Sequence, residues 1–261
     1  MADVIGSALR ELGQSIRVIP MGDAEDQDVR DCDVFGIGSP CFSSKAPTPV
    51  KKFLSDLPCM ENKRAFIFAT CGGAPGRLLH DLGSPLQEKG ATVLGKFLCR
   101  GEVHHPAPVL HGRFPGRPDE RDFRRARRFI HGLVNDELNC LDASMSDSED
   151  SRIIPEFGFY DLVARISTDS VLRRFLPEPQ IDHALCDCCG WCADACSMLN
   201  ISMNPYPEIG FKCIRCYRCS TGCPQDAMAV DWTRGNLLLW LLYNTTFIRR
   251  FGDVRLGEQI Y

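Results

Sequence analysis

Cys186-Asp-Cys-Cys-Gly-Trp-Cys-Ala-Asp-Ala-Cys196 and Cys213-Ile-Arg-Cys-Tyr-Arg-Cys-Ser-Thr-Gly-Cys223, the second followed at once by Pro224, decide what this chain is built around. Each holds the rhythm C-x2-C-x2-C-x3-C: Cys186, Cys189, Cys192 and Cys196 in the first run, Cys213, Cys216, Cys219 and Cys223 in the second. Three thiolates at that spacing wrap three irons of one cubane from a tight loop, while the fourth, carried onto the start of a helix, reaches the other cluster. The spacing therefore assigns Cys186, Cys189, Cys192 and Cys223 to one [4Fe-4S] cluster, and Cys213, Cys216, Cys219 and Cys196 to a second. Structural zinc is the plainer alternative, because CxxC knuckles also hold a tetrahedral ion. Zinc sites, however, draw on two separated CxxC pairs and make no demand for a third cysteine in each run. A disulfide framework suits small secreted domains, which this chain is not.

Residues 181–232 resemble the two-cluster bacterial ferredoxins, which implies a small α+β domain around the two clusters. Two departures stand out. The first run ends in Cys196-Ser197 where that family usually has Cys-Pro, and an extra thiol, Cys188, sits beside Cys189. Losing the proline weakens a turn signal without removing a ligand, and the spacing of Cys188 to Cys192 fits the loop less well.

Working outward, 261 residues with 44% hydrophobic content are enough for one large or two modest domains. Thirty basic against 34 acidic side chains, a net charge of −4, give no field that points to nucleic acid or to a membrane surface. Of 15 cysteines, seven lie outside the two ligand sets: Cys32, Cys41, Cys59, Cys71, Cys99, Cys140 and Cys188. That many free thiols suit a reducing compartment. No secretory leader pattern opens the chain, and the apolar run Leu237 to Tyr243 falls far short of the roughly 20 residues of a spanning helix. The expected location is cytoplasmic, with no transmembrane segment.

The N-terminal half has a different grammar. Val4, Ile5, Ala8, Leu9 and Leu12 share a helical face, and Ile16, Val18 and Ile19 read as a short strand after Gly13. Further strands are expected over 33–39, 65–70 and 92–98. Helices are expected around 49–56 and 77–89, and after Pro118 through Phe123, Ala126, Ile130, Leu133 and Val134. Strands alternating with helices predict a parallel sheet covered on both faces. Ligands of such sheets sit beyond the carboxyl ends of the strands. The loops there run from Gly38 to Pro47 and from Thr70 to Gly76. Both look like the flavodoxin loops that grip an isoalloxazine ring, with Ser39, Pro40, Phe42, Thr70, Gly72, Gly73 and Gly76 as the flavin-facing residues and Phe42 as the stacking aromatic.

Taken whole, the chain resembles the flavodoxin-ferredoxin fusion proteins of anaerobic prokaryotes. That resemblance implies an α/β flavodoxin-like parallel sheet over 1–138, a linker and docking helices over 139–180, the ferredoxin domain over 181–232 and a helical tail over 233–261. Flavodoxins open with a strand and a Ser/Thr/Gly loop that cradles the FMN phosphate at a helix N-terminus. Here Met1 leads directly into the first helix, so the sheet is expected to lack its first strand and FMN to bind weakly or not at all. Either the start lies too far downstream, or the domain has lost that strand. Direct pairing of the flanking strands, or a strand supplied by a partner in a homo-oligomer, would then satisfy the exposed backbone.

Residues 142–151 are acidic and read as a solvated linker, with short docking helices over 157–166 and 171–176. Arg113, Arg117, Arg121, Arg124, Arg125, Arg127 and Arg128 read as the solvated face of a helix, or as a docking patch for an acidic redox partner. His104 and His105 read as loop surface rather than a metal site, and Cys41 and Cys71 as small buried thiols. The apolar tail from Gly235 to Phe251 is expected to pack between the two domains or over the ferredoxin module, with membrane-surface binding the alternative. Between Ile181 and Trp232 six acidic residues oppose three basic ones, which favours a low reduction potential. Three functions compete: a flavin-dependent iron-sulfur oxidoreductase; an electron carrier or relay subunit whose flavodoxin-like part is flavin-free and only docks redox partners; and a redox-responsive regulatory protein. No helix-turn-helix favours the last, and no G-x-G-x-x-G after a strand supports a nicotinamide site. No residue is assigned a catalytic role, and the electron donor, the acceptor and any organic substrate stay open.

Overall fold

The computed structural model describes residues 1–107, 110–135, 159–233 and 241. The expected linker and nearly all of the C-terminal tail lie outside these residues. The chain forms two compact units, one from Met1–Glu102 with Gly116–Ala164, the other from Val103–Pro115 with Arg165–Tyr261.

The first unit is built on a three-stranded parallel sheet in the order β1 (Val34–Pro40), β2 (Arg64–Cys71), β3 (Thr92–Arg100). The central strand, β2, carries Ala65, Phe66, Ile67, Phe68 and Ala69 without interruption, as a strand covered on both faces must. One face packs on α2 (Asp26–Asp31), α3 (Thr48–Asp56) and α4 (Leu78–Glu88) through Val29, Leu54, Ile67, Leu82 and Leu86. The other packs on α1 (Ala2–Glu11) and α5 (Glu120–Val134) through Ile5, Ala8, Phe66, Phe97, Phe129 and Ile130. α5 starts where Asp119 accepts from the Arg121 and Asp122 amides and Asp122 accepts in return from the Asp119 amide.

The expected strand at Ile16–Ile19 does not form. Its β-branched residues have the propensity, but a strand exists only by its ladder, and this segment pairs with no neighbour. Instead Val18 lies against Gly6 of α1, with 41% of its surface exposed, and Arg17 pairs with Asp28. β1 is thus an outer strand on which Val34, Gly36, Gly38 and Pro40 are exposed. The arginine run also departs from a uniformly solvated face. Asp122 is fully buried and takes two hydrogen bonds from Arg117, at 2.6 and 2.8 Å, with Arg125 at 3.5 Å.

The second unit holds α6 only by its last residues (Phe159–Ile166), followed by α7 (Asp169–Phe175), β4 (Gln180–Ile181), α8 (Trp191–Asp194), β5 (Ile201–Asn204), β6 (Tyr206–Ile209), α9 (Arg218–Thr221) and β7 (Met228–Ala229). β4 pairs antiparallel with β7, and β5 with β6. The first strand of one half therefore meets the last strand of the other. Among the described residues no helix is long and apolar enough to cross a membrane.

Candidate functional site

The two cysteine runs fold alike, at a constant displacement of 27 positions, Cys186 to Cys213. Left-handed backbone recurs at matched places: Cys188 and Arg215 both have φ 58°, Gly190 and Tyr217 have 80° and 59°, and Leu199 and Asp226 have 48° and 50°. The left-handed residue before each short helix lets the loop reverse sharply, so the third cysteine of each run, Cys192 or Cys219, enters on a helix. The hydrogen bonds repeat too. The Leu199 amide donates to Cys196 O at 2.8 Å, and Asp226 does the same to Cys223 O at 3.2 Å. The Asn200 amide reaches Cys196 Sγ at 3.5 Å, and the Ala227 amide reaches Cys223 Sγ at 3.3 Å.

The matched loops bring distant cysteines together. Cys186, Cys189 and Cys192 line one recess together with Cys223 from the other run, and Cys188, Ile181, Trp191 and Pro207 line it too. Around the second run, burial pushes the Cys219 thiol up to about 12, reinforced by Cys216 and Cys213 and then by Cys192 and Cys196. Burial likewise raises Cys216, with Cys213 and Cys196 adding to it, and raises Cys192, with Cys186 and Cys189 adding to it. Thiols crowded so closely resist ionisation alone. A polycation among them reverses that cost, since metal binding releases their protons. The donor set fits iron-sulfur ligation in this respect. Among the described residues no three His, Cys, Asp or Glu side chains are grouped tightly enough to hold a metal ion. A cubane asks for a different geometry, with each thiolate on a separate iron.

Cys188 is exposed and takes the place that Arg215 holds in the second run, where the arginine pairs with Glu178 at 3.0 Å. Two side chains around the runs carried no sequence signal. His105 packs its ring at 4.9 Å from Tyr217 and 5.3 Å from Trp232, and burial pushes it down to about 4. It is therefore a packed side chain rather than loop surface, while His104 is exposed. Asn200 is the other: its side chain donates to Gly210 O at 2.8 Å and accepts from the Lys212 amide at 3.0 Å, tying the turn before Cys213 to the segment after Cys196.

In the first unit, Ser39 and Pro40 end β1, Thr70 is the last residue but one of β2, and Phe42, Gly72, Gly73 and Gly76 lie in the loops beyond. The loops are knitted to each other. The Cys41 amide donates to Thr70 O at 2.8 Å, the Arg77 amide to Ser44 O at 2.8 Å, and Phe42 and Lys45 exchange backbone bonds across a turn with φ 50° at Ser43 and 61° at Ser44. Gly76, expected to admit a flavin, is approached by the chain itself: a β-carbon there would lie 2.5 Å from Ser44 O and 2.9 Å from Tyr160 O.

No protein-family model matches the chain, and no curated protein does. Solved structures similar to it include a flavodoxin from the domain Archaea, at 17% identity over 51% of this chain and 85% of that one, with a TM-score of 0.41. Oxidised Flavodoxin 2 from Bacillus cereus is 15% identical over 51% and 87%, with a TM-score of 0.40. Two-electron reduced Megasphaera elsdenii flavodoxin is 22% identical over 48% and 86%, with a TM-score of 0.37.

Proposed function

We propose that this chain is an iron-sulfur electron-transfer protein, with Cys186, Cys189, Cys192 and Cys223 holding one [4Fe-4S] cluster and Cys213, Cys216, Cys219 and Cys196 the other. The observation that carries this reading is the convergence of Cys223 on the loop of Cys186, Cys189 and Cys192. Such clusters, when bound, supply one-electron chemistry. The chain's own part is to position and tune. The Asn200 and Ala227 amides point at Cys196 and Cys223 sulfur and favour negative charge there. Ile181, Trp191 and Pro207 limit water at the recess.

For the first unit we propose a flavodoxin-like docking module that holds FMN weakly or not at all. The self-closure of Gly76 by Ser44 and Tyr160 favours the flavin-free form. Phe42 and the backbone of residues 39–45 and 70–76 are the groups that would meet a flavin ring. Redox proteins are the proposed partners and the cytoplasm the proposed location.

The test is anaerobic purification with iron, sulfide and flavin quantified, beside a fluorescence titration with FMN. About eight irons and eight sulfides per chain, with absorbance near 400 nm that bleaches on reduction, are expected. Zinc without sulfide would end the iron-sulfur reading, and submicromolar FMN affinity would end the flavin-free one.

A further inference from the structure

Cys41 and Cys71 stand on one rung of the parallel sheet. In a parallel ladder a residue's amide bonds to the carbonyl of the residue just before its cross-strand partner. The bond from the Cys41 amide to Thr70 O, at 2.8 Å, therefore continues the register Pro40↔Thr70 by one step and sets Cys41 opposite Cys71. The same rung runs on to Arg100 of β3. All three side chains share the sheet face that packs on α3 and α4, where Cys71 belongs to the core and Cys41 packs against it. Neighbouring strands lie about 4.8 Å apart, inside the roughly 4.4–6.8 Å between α-carbons that a disulfide spans.

We propose that Cys41 and Cys71 are a redox-active dithiol, oxidised reversibly to a disulfide by exchange with a low-molecular-weight disulfide. Nothing in this depends on the iron-sulfur reading; it rests on the sheet alone. Cys41 is half-buried and Cys71 is 1% exposed, so Cys41 is the entry point and Cys71 the resolving thiol. Cys41 Sγ gives up its proton and attacks one sulfur of the reagent; a mixed disulfide forms, and one thiolate leaves and takes a proton. Cys71 Sγ then gives up its proton and attacks Cys41 Sγ. The Cys41–Cys71 bond forms and the second thiol leaves, so two cysteines are oxidised and one reagent disulfide is reduced to two thiols. Both thiols face one loop, with Cys41 Sγ 3.6 Å from Ala74 O and Cys71 Sγ 3.2 Å from Gly73 O. Arg100 reaches the same loop, its Nη1 donating to Gly73 O at 2.8 Å.

The hydrogen bond to Cys71, with burial second, holds the Cys41 thiol well above its ordinary range, and Arg100 opposes that rise. Cys41 thus rests protonated, and exchange quickens about tenfold for each pH unit until the thiol ionises. A bridge between adjacent strands is also strained, which makes it easy to reduce. Oxidation would tie the turn at Phe42–Lys45 to the loop that follows Cys71.

The experiment equilibrates the full chain anaerobically in mixtures of oxidised and reduced glutathione, quenches in acid, alkylates after denaturation and reads each cysteine by peptide mass spectrometry. Cys41 and Cys71 should lose alkylation together and appear as one linked peptide pair, while exposed Cys59 carries glutathione singly. Cys71→Ser should trap glutathione on Cys41, and Cys41→Ser should leave Cys71 alkylated at the same mixtures. Full alkylation of both at every mixture, or a stable glutathione adduct on Cys41 of the unaltered chain, overturns the proposal. Glutathione on Cys71 in Cys41→Ser overturns the order of attack.

Discussion

Cys188 and Arg215 occupy equivalent positions in the two halves of the second unit, each at φ 58° and each two residues beyond the first cysteine of its run. Cys188 lies at the recess beside Cys186, but the matched place in the second run is filled by an arginine that pairs with Glu178 and cannot ligate iron, so the repeated fold needs no thiol there. Cys188→Ser should therefore leave the full iron and sulfide content intact, whereas Cys189→Ser should halve it. Iron loss in Cys188→Ser comparable to that in Cys189→Ser would show that the extra thiol is a ligand.

The crossed assignment makes a separate demand. Cys196 precedes β5, yet its charge is felt by Cys216 and Cys219 of the other run. Cys196→Ser should expose Cys213, Cys216 and Cys219 to alkylation in the native protein while Cys186, Cys189, Cys192 and Cys223 stay protected. The reverse pattern of protection would refute it.

Much of this was legible in sequence because the signals were local and periodic. The three sheet strands, α1, α3, α4 and α5 follow from apolar periodicity and from breakers such as Pro49 and Pro118. Ile16 to Ile19 misled because strand propensity says nothing about whether a neighbour exists to complete the ladder. Asp122 looked like surface charge because its burial depends on the turn at Arg117–Asp119 and on the packing of α5 against β3, neither of which a helical period shows. His105 joined Tyr217 and Trp232 across more than a hundred residues, a distance at which one sequence has no periodicity to read.

Acid should weaken the second unit through His105. Burial lowers its folded value to about 4 from 6.5, so the unfolded chain binds the extra proton first. Its contribution is fully present above pH 6.5 and is lost as pH falls toward 4, at about 1.4 kcal/mol per pH unit. His105→Phe keeps a ring between Tyr217 and Trp232 and cannot titrate. Thermal denaturation of both proteins between pH 7.5 and 5.5 should show the unaltered chain losing more stability by roughly that slope. Parallel curves would remove His105 as the cause.

Arg117→Ala would leave the fully buried Asp122 carboxylate with Arg125, at 3.5 Å, and the Asp119 amide, at 3.0 Å. Breaking a buried pair from one side costs about 3 kcal/mol or more, and Asp122 also caps α5. The expected result is a clear drop in the denaturation midpoint of the first unit, with cluster content unchanged. A change within about 0.5 kcal/mol would mean that Asp122 is relieved by another group.

Gly222 is required by a neighbour and not by its backbone. Its φ of −114° suits any residue, but a β-carbon there would fall 2.0 Å from the Trp191 ring. The matched position in the first half is Ala195, which carries the methyl group, and Arg218 stands at the place of Trp191. Gly222→Ala should push the indole off the recess that it shares with Cys186, Cys189 and Cys223, costing about 1–3 kcal/mol of stability and speeding loss of iron in air. In a Trp191→Leu background the same substitution should cost far less, because the shorter side chain leaves the space open. Thermal denaturation of the four proteins in this cycle measures the coupling, and equal costs in both backgrounds would show that Trp191 is not what holds position 222 to glycine.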